Sequence, residues 1–358
     1  MWPHRCPILP EDAWHCRYPY WTKEMTRLYW ICLTILIAMV FAGCSGDTST
    51  IKIGVSIPET TAPVYTLMKQ AMIDGEKDNG VKILWNGVRD AGIKQNLATL
   101  ETQQIRRMLD EGIRVLILKP VGGQNVYSIL KEAERRNVPV ITLDRLLVSI
   151  NVRGHIAVDE TGLGEAAAQY VIKKIGYKGN VLVLDESTGA ESFRNISLGI
   201  YRALDRHSDQ IRVHSRTSPL DADVALDLTD RVLKNYAGNI QAIIAVDSTL
   251  AVGAVRGVQL HELADQIVTV GVGAGEEACR QIMFKQHDVE VDAIPYQRGQ
   301  EVLKAALDAL NDRPFSFDVE LSDGRILTKT KFSPIRLITP ANYSVVGRMW
   351  PNLFEDKK

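Results

Sequence analysis

Cysteine is scarce in this sequence, with five residues in a chain of 358, and that number is too small for a disulfide framework. Charge of one sign is also lacking, because 42 Lys and Arg residues against 43 Asp and Glu residues give a formal net charge of −1. A near-neutral chain is poorly suited to neutralising the phosphates of nucleic acid. We therefore expect no nucleic-acid partner.

Motifs for several kinds of chemistry are missing as well. The sequence has no phosphate loop of the form Gly-x-x-x-x-Gly-Lys-Ser/Thr, no Gly-x-Gly-x-x-Gly between a strand and a helix, and no Gly-x-Ser-x-Gly elbow. Its seven histidines include no His-x-x-x-His pair, so we expect no metal site. His155 is interpreted as a structural histidine and Cys279 as a buried thiol. An exported enzyme would need an acid–base pair, which the sequence does not display, and we predict neither a cofactor nor catalysis.

The N-terminal region contains an uncharged apolar run. Leu28 to Phe41 read LYWICLTILIAMVF, Arg27 precedes them, and Ala42-Gly43 lead into Cys44. A positive start, a short apolar stretch and small residues at the cleavage point predict a secretory signal. Small residues before a cysteine resemble the bacterial lipobox, in which that cysteine is diacylated, so Cys44 is the predicted lipidation site.

The alternative for this region is a transmembrane anchor, although the run is shorter than the roughly 20 residues that a membrane-spanning helix needs. Residues 1–24 are interpreted as an upstream mis-start of translation or as a short cytoplasmic tail. We divide the region into a leader with signal peptide, 1–43, and a polar tether, 44–50. The protein is then exported and held on the outer side of the membrane by its lipid.

From Ile51 onward, short β-branched runs alternate with amphipathic segments of helical length. Repeated βα units predict parallel sheets covered by helices on both faces. The predicted strands are 51–57, 81–85, 114–119, 138–143, 180–184, 211–215, 241–246, 266–272 and 289–294. The predicted helices are 63–79, 93–111, 124–136, 163–175, 191–206, 222–236, 249–260, 275–285 and 296–311. Residues 317–332 are predicted to form two more strands around a turn at 322–324.

The rhythm restarts after residue 160, which predicts an α/β fold of two doubly wound parallel-sheet lobes. Three connections forming a hinge are expected near Val158-Asp159, Ala293-Ile294 and Val319-Glu320. The predicted N-terminal lobe is 51–158 plus 294–319, and the predicted C-terminal lobe is 159–293 plus 320–345. Two facing sheets enclose a cleft at the carboxyl ends of their strands, which suits closure on a ligand.

Several segments, taken in order and spacing, resemble the ribose/galactose-type periplasmic sugar-binding proteins, which share their fold with the effector core of LacI-type repressors. They are IKIGVSI (51–57), ETQQIRRMLDEGIRVLILKP (101–120), VPVITLDR (138–145), HIAVDETGLGEAAAQYV (155–171), QAIIAVDSTLAVGAVRGV (241–258) and VTVGV (268–272). The resemblance implies a type I periplasmic binding protein fold. It also implies a solute-binding component of an ABC importer, which delivers a monosaccharide or polyol to a membrane permease. We separately expect a monomer. A repressor is disfavoured because no helix-turn-helix precedes Ile51.

In the first lobe, Asp144 and Arg145 follow the fourth predicted strand, and the resemblance implies that this pair grips the sugar. A carboxylate accepts hydrogen bonds from vicinal hydroxyls and a guanidinium donates them; the alternative is a structural ion pair. Tyr65 is the candidate ring for stacking on the C–H face of a sugar, or else a core aromatic. Trp85 is a second candidate ring, with a core role as the alternative.

In the second lobe, Asp247 follows a predicted strand, where it either accepts a hydroxyl proton or caps the next helix. Arg194 lies near a helix start and is a candidate ligand contact, or a surface arginine. Gln297 near the second connection is a weaker candidate, or a solvated helix residue. Asp159 either contacts the ligand or braces the hinge.

The chain departs from the family pattern at positions where other members bind the sugar. Ala62 and Val64 replace an Asn and an aromatic residue, Ile196 stands at a position of an arginine, and Gly273 stands where a ligand Asp is common. Ribose or galactose specificity is therefore not carried over, and a nucleoside or signalling furanose remains open. The rival function is a sensory protein that presents its ligand to a histidine kinase or chemoreceptor.

Overall fold

The structure is a computed structural model that describes residues 50–354, apart from residues 60, 89–95, 122–124, 148, 237–238 and 323. Residues from Thr50 onward form one compact unit. The predicted leader, the predicted lipidation site Cys44 and most of the predicted tether lie outside the described residues. Within the part of the chain that is described, no helix combines the length and apolarity needed to cross a membrane.

Strands and helices alternate through most of this unit, as predicted. The strands are β1 Ile51–Ile57, β2 Val81–Gly87, β3 Ile113–Leu118, β4 Val140–Leu143, β5 Gly154–Ala157, β6 Gly179–Glu186, β7 Ile211–Ser218, β8 Ala242–Ala245, β9 Val268–Val272, β10 Val289–Asp292, β11 Val319–Ser322, β12 Leu327–Phe332 and β13 Arg336–Ile338. The helices are α1 Pro63–Asp74, α2 Glu76–Asn79, α3 Leu97–Asp110, α4 Asn125–Arg135, α5 Glu160–Lys174, α6 Glu191–Asp205, α7 Ala222–Asn235, α8 Ser248–Leu260, α9 Glu276–Met283 and α10 Pro295–Leu310. Two 3₁₀ helices follow at Tyr343–Val346 and Pro351–Phe354.

The first lobe is built on a seven-stranded sheet in the order β11-β12-β5-β4-β3-β1-β2, parallel except for β11. Successive residues of a strand point to opposite faces, and β3 is buried on both. Val115 and Ile117 face the layer that contains α1 and α10, whereas Leu116 and Leu118 face α3 and α4. This two-sided burial explains why the strand reads as a continuous apolar run.

The second lobe is built on a six-stranded sheet in the order β13-β10-β9-β8-β6-β7, parallel except for β13. One hydrophobic core covers both of its faces. Helices α5 and α6 cross closely there, because Gly164 and Gly199 bring each backbone against the other. The predicted fold class of two α/β lobes is therefore confirmed.

The chain passes between the lobes between β5 and α5, between β10 and α10, and between β12 and β13. The prediction that the third connection lies at Val319-Glu320, with 320–345 in the C-terminal lobe, is wrong. The 319–332 hairpin forms the edge of the first sheet, where Thr330 pairs with His155, and the bond from Ser333 N to Ala157 O extends that ladder. A hairpin with alternating apolar and polar residues fits the edge of either sheet. Its residue pattern alone therefore does not predict which sheet it joins.

Other predicted boundaries change where the backbone turns. The single helix predicted at 63–79 breaks at Gly75, into α1 and α2. The strand predicted at 289–294 ends at Asp292, because Ile294 takes a left-handed φ of 46° just before α10 begins. The strand β5 is absent from the predicted set.

The C-terminal segment, defined here as residues 339–354, follows β13 and packs on the second lobe. Its Val346 and Leu353 are buried in a small cluster with Cys279 of α9. Cys279 is free and fully buried, as the sequence interpretation held.

Candidate functional site

A cavity of about 490 Å³ lies between the two lobes. It is bordered by the carboxyl ends of β3, β4 and β5 in the first lobe and of β8, β9 and β10 in the second. Ligands of open α/β sheets bind at this edge, and the volume lies within the range of about 300–1,000 Å³ that small-molecule sites occupy. The cavity is therefore the candidate site.

The first wall of the cavity carries a carboxylate held between two cations, Lys119 and Arg298. Lys119 Nζ donates to Asp144 Oδ2 across 2.7 Å, and Arg298 Nη2 donates to Asp144 Oδ1. The Arg298 side chain is only 3% exposed, so the surrounding residues of the first lobe hold it in place. We refer to these three residues as the cleft triad.

The cleft triad fixes the charge states of its members. Burial opposes ionisation of Asp144, but the charges of Arg298 and Lys119 outweigh it and hold the Asp144 pKa below its ordinary value. Burial likewise opposes the charge of Lys119, yet the neighbouring Asp144 and Tyr65 raise the Lys119 pKa. The triad therefore presents one carboxylate and two cations at neutral pH.

Tyr65 lies at the cavity in the first turn of α1, and Lys119 Nζ stands 5.2 Å from the centre of its ring. The ring is 7% exposed and also packs into the core of the first lobe. Tyr65 is therefore a core aromatic that also borders the cavity, and its stacking on a sugar stays a prediction.

The second wall presents Asp247 at the end of β8. Asp247 Oδ1 accepts a hydrogen bond from Thr249 N across 2.6 Å, which caps α8. Burial raises the Asp247 pKa, and the nearby charge of Glu290 adds to the effect. Asp247 therefore caps α8 while it lines the cavity, and its acceptance of a ligand hydroxyl stays a prediction.

Glu160 and Asp292 complete the acidic side chains around the cavity. Glu160 accepts from Asn195 Nδ2 across 2.8 Å, and burial raises its pKa. Asp292 pairs with Arg336, although burial outweighs that partner and raises the Asp292 pKa. The lining of the whole cavity thus contains more carboxylates than cations. It has no excess positive charge that would attract an anionic ligand.

Apolar side chains make up most of the remaining surface. Val246, Val272 and Val291 come from the strand ends of the second lobe, and Phe193 and Ile196 come from α6. Gly273 lies at the end of β9 with a φ of 122°, a value that favours glycine. Two residues of the C-terminal segment, Met349 and Trp350, also line the cavity.

Five predicted site residues do not line the cavity. Arg145 is exposed and its charge acts on Glu101 of α3, because the chain turns at Asp144 and directs the next side chain away. Arg194 is exposed on α6, one position after Phe193, which does reach the cavity.

The other three are held by the lobes themselves. Trp85 packs against the core of the first lobe, Gln297 is exposed beside Glu301 on α10, and Asp159 caps α5 by accepting from Gly162 N across 2.8 Å. Asp159 thus caps a helix in the structure, and its role in bracing the hinge stays a prediction.

Sequence reasoning missed Lys119 and Arg298, although one of them had a readable signal. Lys119 follows β3 as Asp144 follows β4, and adjacent parallel strands end at the same edge. Arg298 is one position from the predicted Gln297 on α10. The packing of α10 on α1 sets the rotation of the helix, and this rotation makes Arg298 buried and Gln297 exposed. Among the described residues, no group of three or more His, Cys, Asp or Glu side chains is arranged to hold a metal ion.

Comparison with known proteins agrees with this geometry. The family model of the periplasmic binding protein domain matches residues 53–314. The ribose import binding protein of Haemophilus influenzae is 27% identical over 235 residues, which are 66% of this chain and 77% of that protein. The D-xylose-binding periplasmic protein of Escherichia coli is 21% identical over 316 residues, 87% of this chain and 92% of that protein.

A solved structure extends the comparison to the fold. The solute-binding protein of an ABC transporter from Bacillus halodurans, with bound myo-inositol, superposes with a TM-score of 0.62 at 19% identity and covers 86% of this chain and 100% of its own. The family match spans both lobes and the strand ends that border the cavity. The chain therefore belongs to the periplasmic binding protein domain family.

Proposed function

We propose that this protein binds one neutral monosaccharide or related polyol in the cleft and delivers it to an ABC importer. The observation that carries the proposal is the cleft triad on one wall, opposite Asp247 on the other, with apolar side chains between them. Asp144 and Asp247 offer acceptors for hydroxyl groups, and Lys119 and Arg298 offer donors. Hydroxylated carbon rings need both, together with apolar surface for their C–H faces.

The charge balance supports a neutral ligand. Each cation at the cavity already faces a carboxylate of the protein, so a carboxylated or phosphorylated ligand would add repulsion from Glu160, Asp247 and Asp292. Relatives that bind ribose and xylose, and a neighbour that holds myo-inositol, are consistent with this class of ligand.

The protein acts by binding and does no covalent chemistry. The described residues at the cavity include no serine or cysteine paired with a histidine, which is one common arrangement for nucleophilic catalysis. The carboxylates are engaged by cations, by a helix N-terminus or by Asn195. Three connections between the lobes permit a bending closure, and the closed form is what a permease would receive.

Titration calorimetry of the full-length protein in detergent tests the ligand class. The panel is D-ribose, D-xylose, D-allose and myo-inositol, with D-xylonate as the charged counterpart of D-xylose. We expect saturable binding of at least one neutral compound at one site per chain, and weaker binding of the acid. A folded protein that binds none of the four, or that prefers the acid, overturns the proposal.

We propose export and anchoring through a diacylated Cys44, on the strength of the apolar run, Ala42-Gly43 and the cysteine that follows them. Cells fed an alkyne fatty acid should label the wild-type protein, and Cys44→Ser should abolish the label and release the protein from membranes. Labelled Cys44→Ser protein would contradict this assignment.

Transport and sensing differ in the membrane partner. Photo-crosslinking of the sugar-loaded protein in native membranes should capture a permease with its cytoplasmic ATPase. Capture of a histidine kinase or chemoreceptor ectodomain instead would replace the importer with the sensory role. The two outcomes leave the cleft and its ligand class unchanged.

A further inference from the structure

The C-terminal segment lies outside the matched family domain, which ends at residue 314, yet it reaches the cleft. Its own packing is well defined. Val346 and Leu353 are buried, and the rings of Tyr343 and Phe354 stack with centres 6.0 Å apart at an angle of 4°. The segment is therefore a folded part of the second lobe, and its position at the cavity is fixed.

Trp350 is the residue of this segment best placed to meet a ligand. It lines the cavity while remaining half-buried, and its Nε1 donates to Ala274 O across 2.8 Å. Ala274 directly follows Gly273, and its own N–H donates to the buried Glu290 across 2.8 Å. The indole is thus tied through the β9–α9 loop to the interior of the second lobe.

The hydrogen bond to Ala274 determines which interactions the indole of Trp350 can make with a ligand. Tryptophan has one donor and no acceptor, and the donor of Trp350 is already used by Ala274. What remains toward the cavity is an aromatic surface, and such surfaces bind the C–H face of a ring rather than its hydroxyl groups.

The segment also contacts the first lobe. The guanidinium of Arg348 lies 4.3 Å from the ring centre of Tyr296 at the start of α10. Tyr296 Oη in turn donates to Asp74 Oδ2 of α1 across 2.7 Å. These contacts join the C-terminal segment to two helices of the first lobe, and Trp350 follows Arg348 by two residues.

We propose that Trp350 is a specificity-determining residue, an aromatic platform on which the C–H face of a neutral sugar or cyclic polyol stacks when the cleft is occupied. The inference rests on the proposed function and adds the residue that selects ligands with an apolar ring face. It assigns a binding role to a segment beyond the matched family domain.

Binding to the four neutral compounds is measured for wild type, Trp350→Ala and Trp350→Phe, all full-length. Trp85→Phe, which removes an indole away from the cavity, is the matched control. We expect Trp350→Ala to raise the dissociation constant about tenfold. Trp350→Phe and the control should stay within about threefold of wild type, because a phenyl ring keeps a stacking face.

A spectroscopic readout covers the case in which Trp350→Ala fails to fold. The wild-type protein is labelled with 5-fluorotryptophan, and its ¹⁹F resonances for Trp350 and Trp85 are assigned from the two Phe variants. Saturating sugar should shift the Trp350 signal and leave that of Trp85 in place.

Unchanged affinity in a folded Trp350→Ala protein, or a Trp350 resonance that does not respond to bound sugar, overturns the inference while leaving the proposed function intact. If the wild-type protein binds none of the four compounds, the proposed function is overturned, and the role inferred for Trp350 is overturned as well.

Discussion

Lys119 Nζ lies 2.7 Å from Asp144 Oδ2, although the two residues are 25 positions apart in the chain. Each stands directly after a strand of the first sheet, and those strands, β3 and β4, are parallel neighbours. The pair therefore follows from topology, which brings the ends of adjacent strands to one edge. With Arg298 behind it, Asp144 is oriented toward the gap between the lobes.

Asp144→Asn should weaken sugar binding by at least about thirtyfold, because the loss of a charged acceptor costs about 2 kcal/mol. It should also destabilise the unliganded protein by about 3 kcal/mol, since Lys119 and Arg298 are left without their carboxylate. Asp144 has a φ of 55°, which asparagine tolerates better than alanine, so the asparagine variant isolates the charge. Calorimetry and urea unfolding measure the two effects.

Asp312→Asn is the matched control for this substitution. Asp312 is an exposed residue after α10 of the same lobe, with a similar φ of 51°. We expect unchanged affinity and a stability change within about 0.5 kcal/mol. Equal losses in both variants would show that the effect of Asp144→Asn is not specific to the cleft.

Gly164→Ala should destabilise the second lobe. An added Cβ would lie 2.0 Å from the backbone oxygen of Ile196 on α6, and a backbone atom in a packed helix pair cannot move aside. Alanine gains about 1 kcal/mol of helix propensity over glycine, but overpacking costs about 1–3 kcal/mol and helix separation adds to that. Thermal unfolding should show a melting temperature lower by several degrees.

Leu198→Ala on α6 is the comparison, because the Leu198 side chain is 43% exposed. We expect its melting temperature to stay close to that of wild type. Gly164→Ala protein that is as stable as Leu198→Ala would mean that the helices do not cross this closely.

Most of the fold was predictable because it depends on short-range patterns. Strands buried on both faces read as apolar runs, and β1 and β3 are of this kind. The lobe assignment of the 319–332 hairpin was not predictable, because the choice depends on which sheet has an open edge beside it. That edge is β5, a strand of only four residues.

The site was predictable to the extent that strand ends define it. Asp144 and Asp247 follow strands and lie at the cavity, as does Tyr65 after β1. Arg298 depends on the rotation of α10, which its packing on α1 sets. Met349 and Trp350 are distant in sequence from the other cavity residues, so no local pattern connects them with the cleft.

His155 makes stability depend on pH below neutrality. It is 2% exposed, its Nδ1 lies 2.9 Å from Thr142 Oγ1, and burial lowers its pKa to about 4. In the unfolded chain its pKa is about 6.5, so the unfolded state binds the extra proton between these values. Folding stability should therefore fall by up to about 3 kcal/mol as the pH drops from 6.5 to 4.

Urea unfolding at several pH values checks the prediction, with His155→Gln as the variant that cannot titrate. The difference in unfolding free energy between wild type and variant should change across that interval and stay constant above pH 7. His207→Gln, at a partly exposed position after α6, is the control substitution. A constant difference for His155→Gln would contradict the buried neutral state.

Glu101 should give stability the opposite dependence on pH. It is 1% exposed on α3, one of its oxygens accepts from Val121 N across 2.9 Å, and burial raises its pKa to about 7. Because the folded state holds the proton that the unfolded state releases near pH 4.5, the folding stability should fall as the pH rises from 4.5 through 7, by up to about 3 kcal/mol.

The Glu101→Gln variant mimics the protonated form of Glu101. Its unfolding free energy should therefore match that of wild type at pH 4.5 and exceed it at pH 8. Glu134→Gln, at an exposed position on α4, is the matched control. A Glu101→Gln protein that is less stable than wild type at pH 8 would mean that the carboxylate, and not the acid, is the form that the first lobe accommodates.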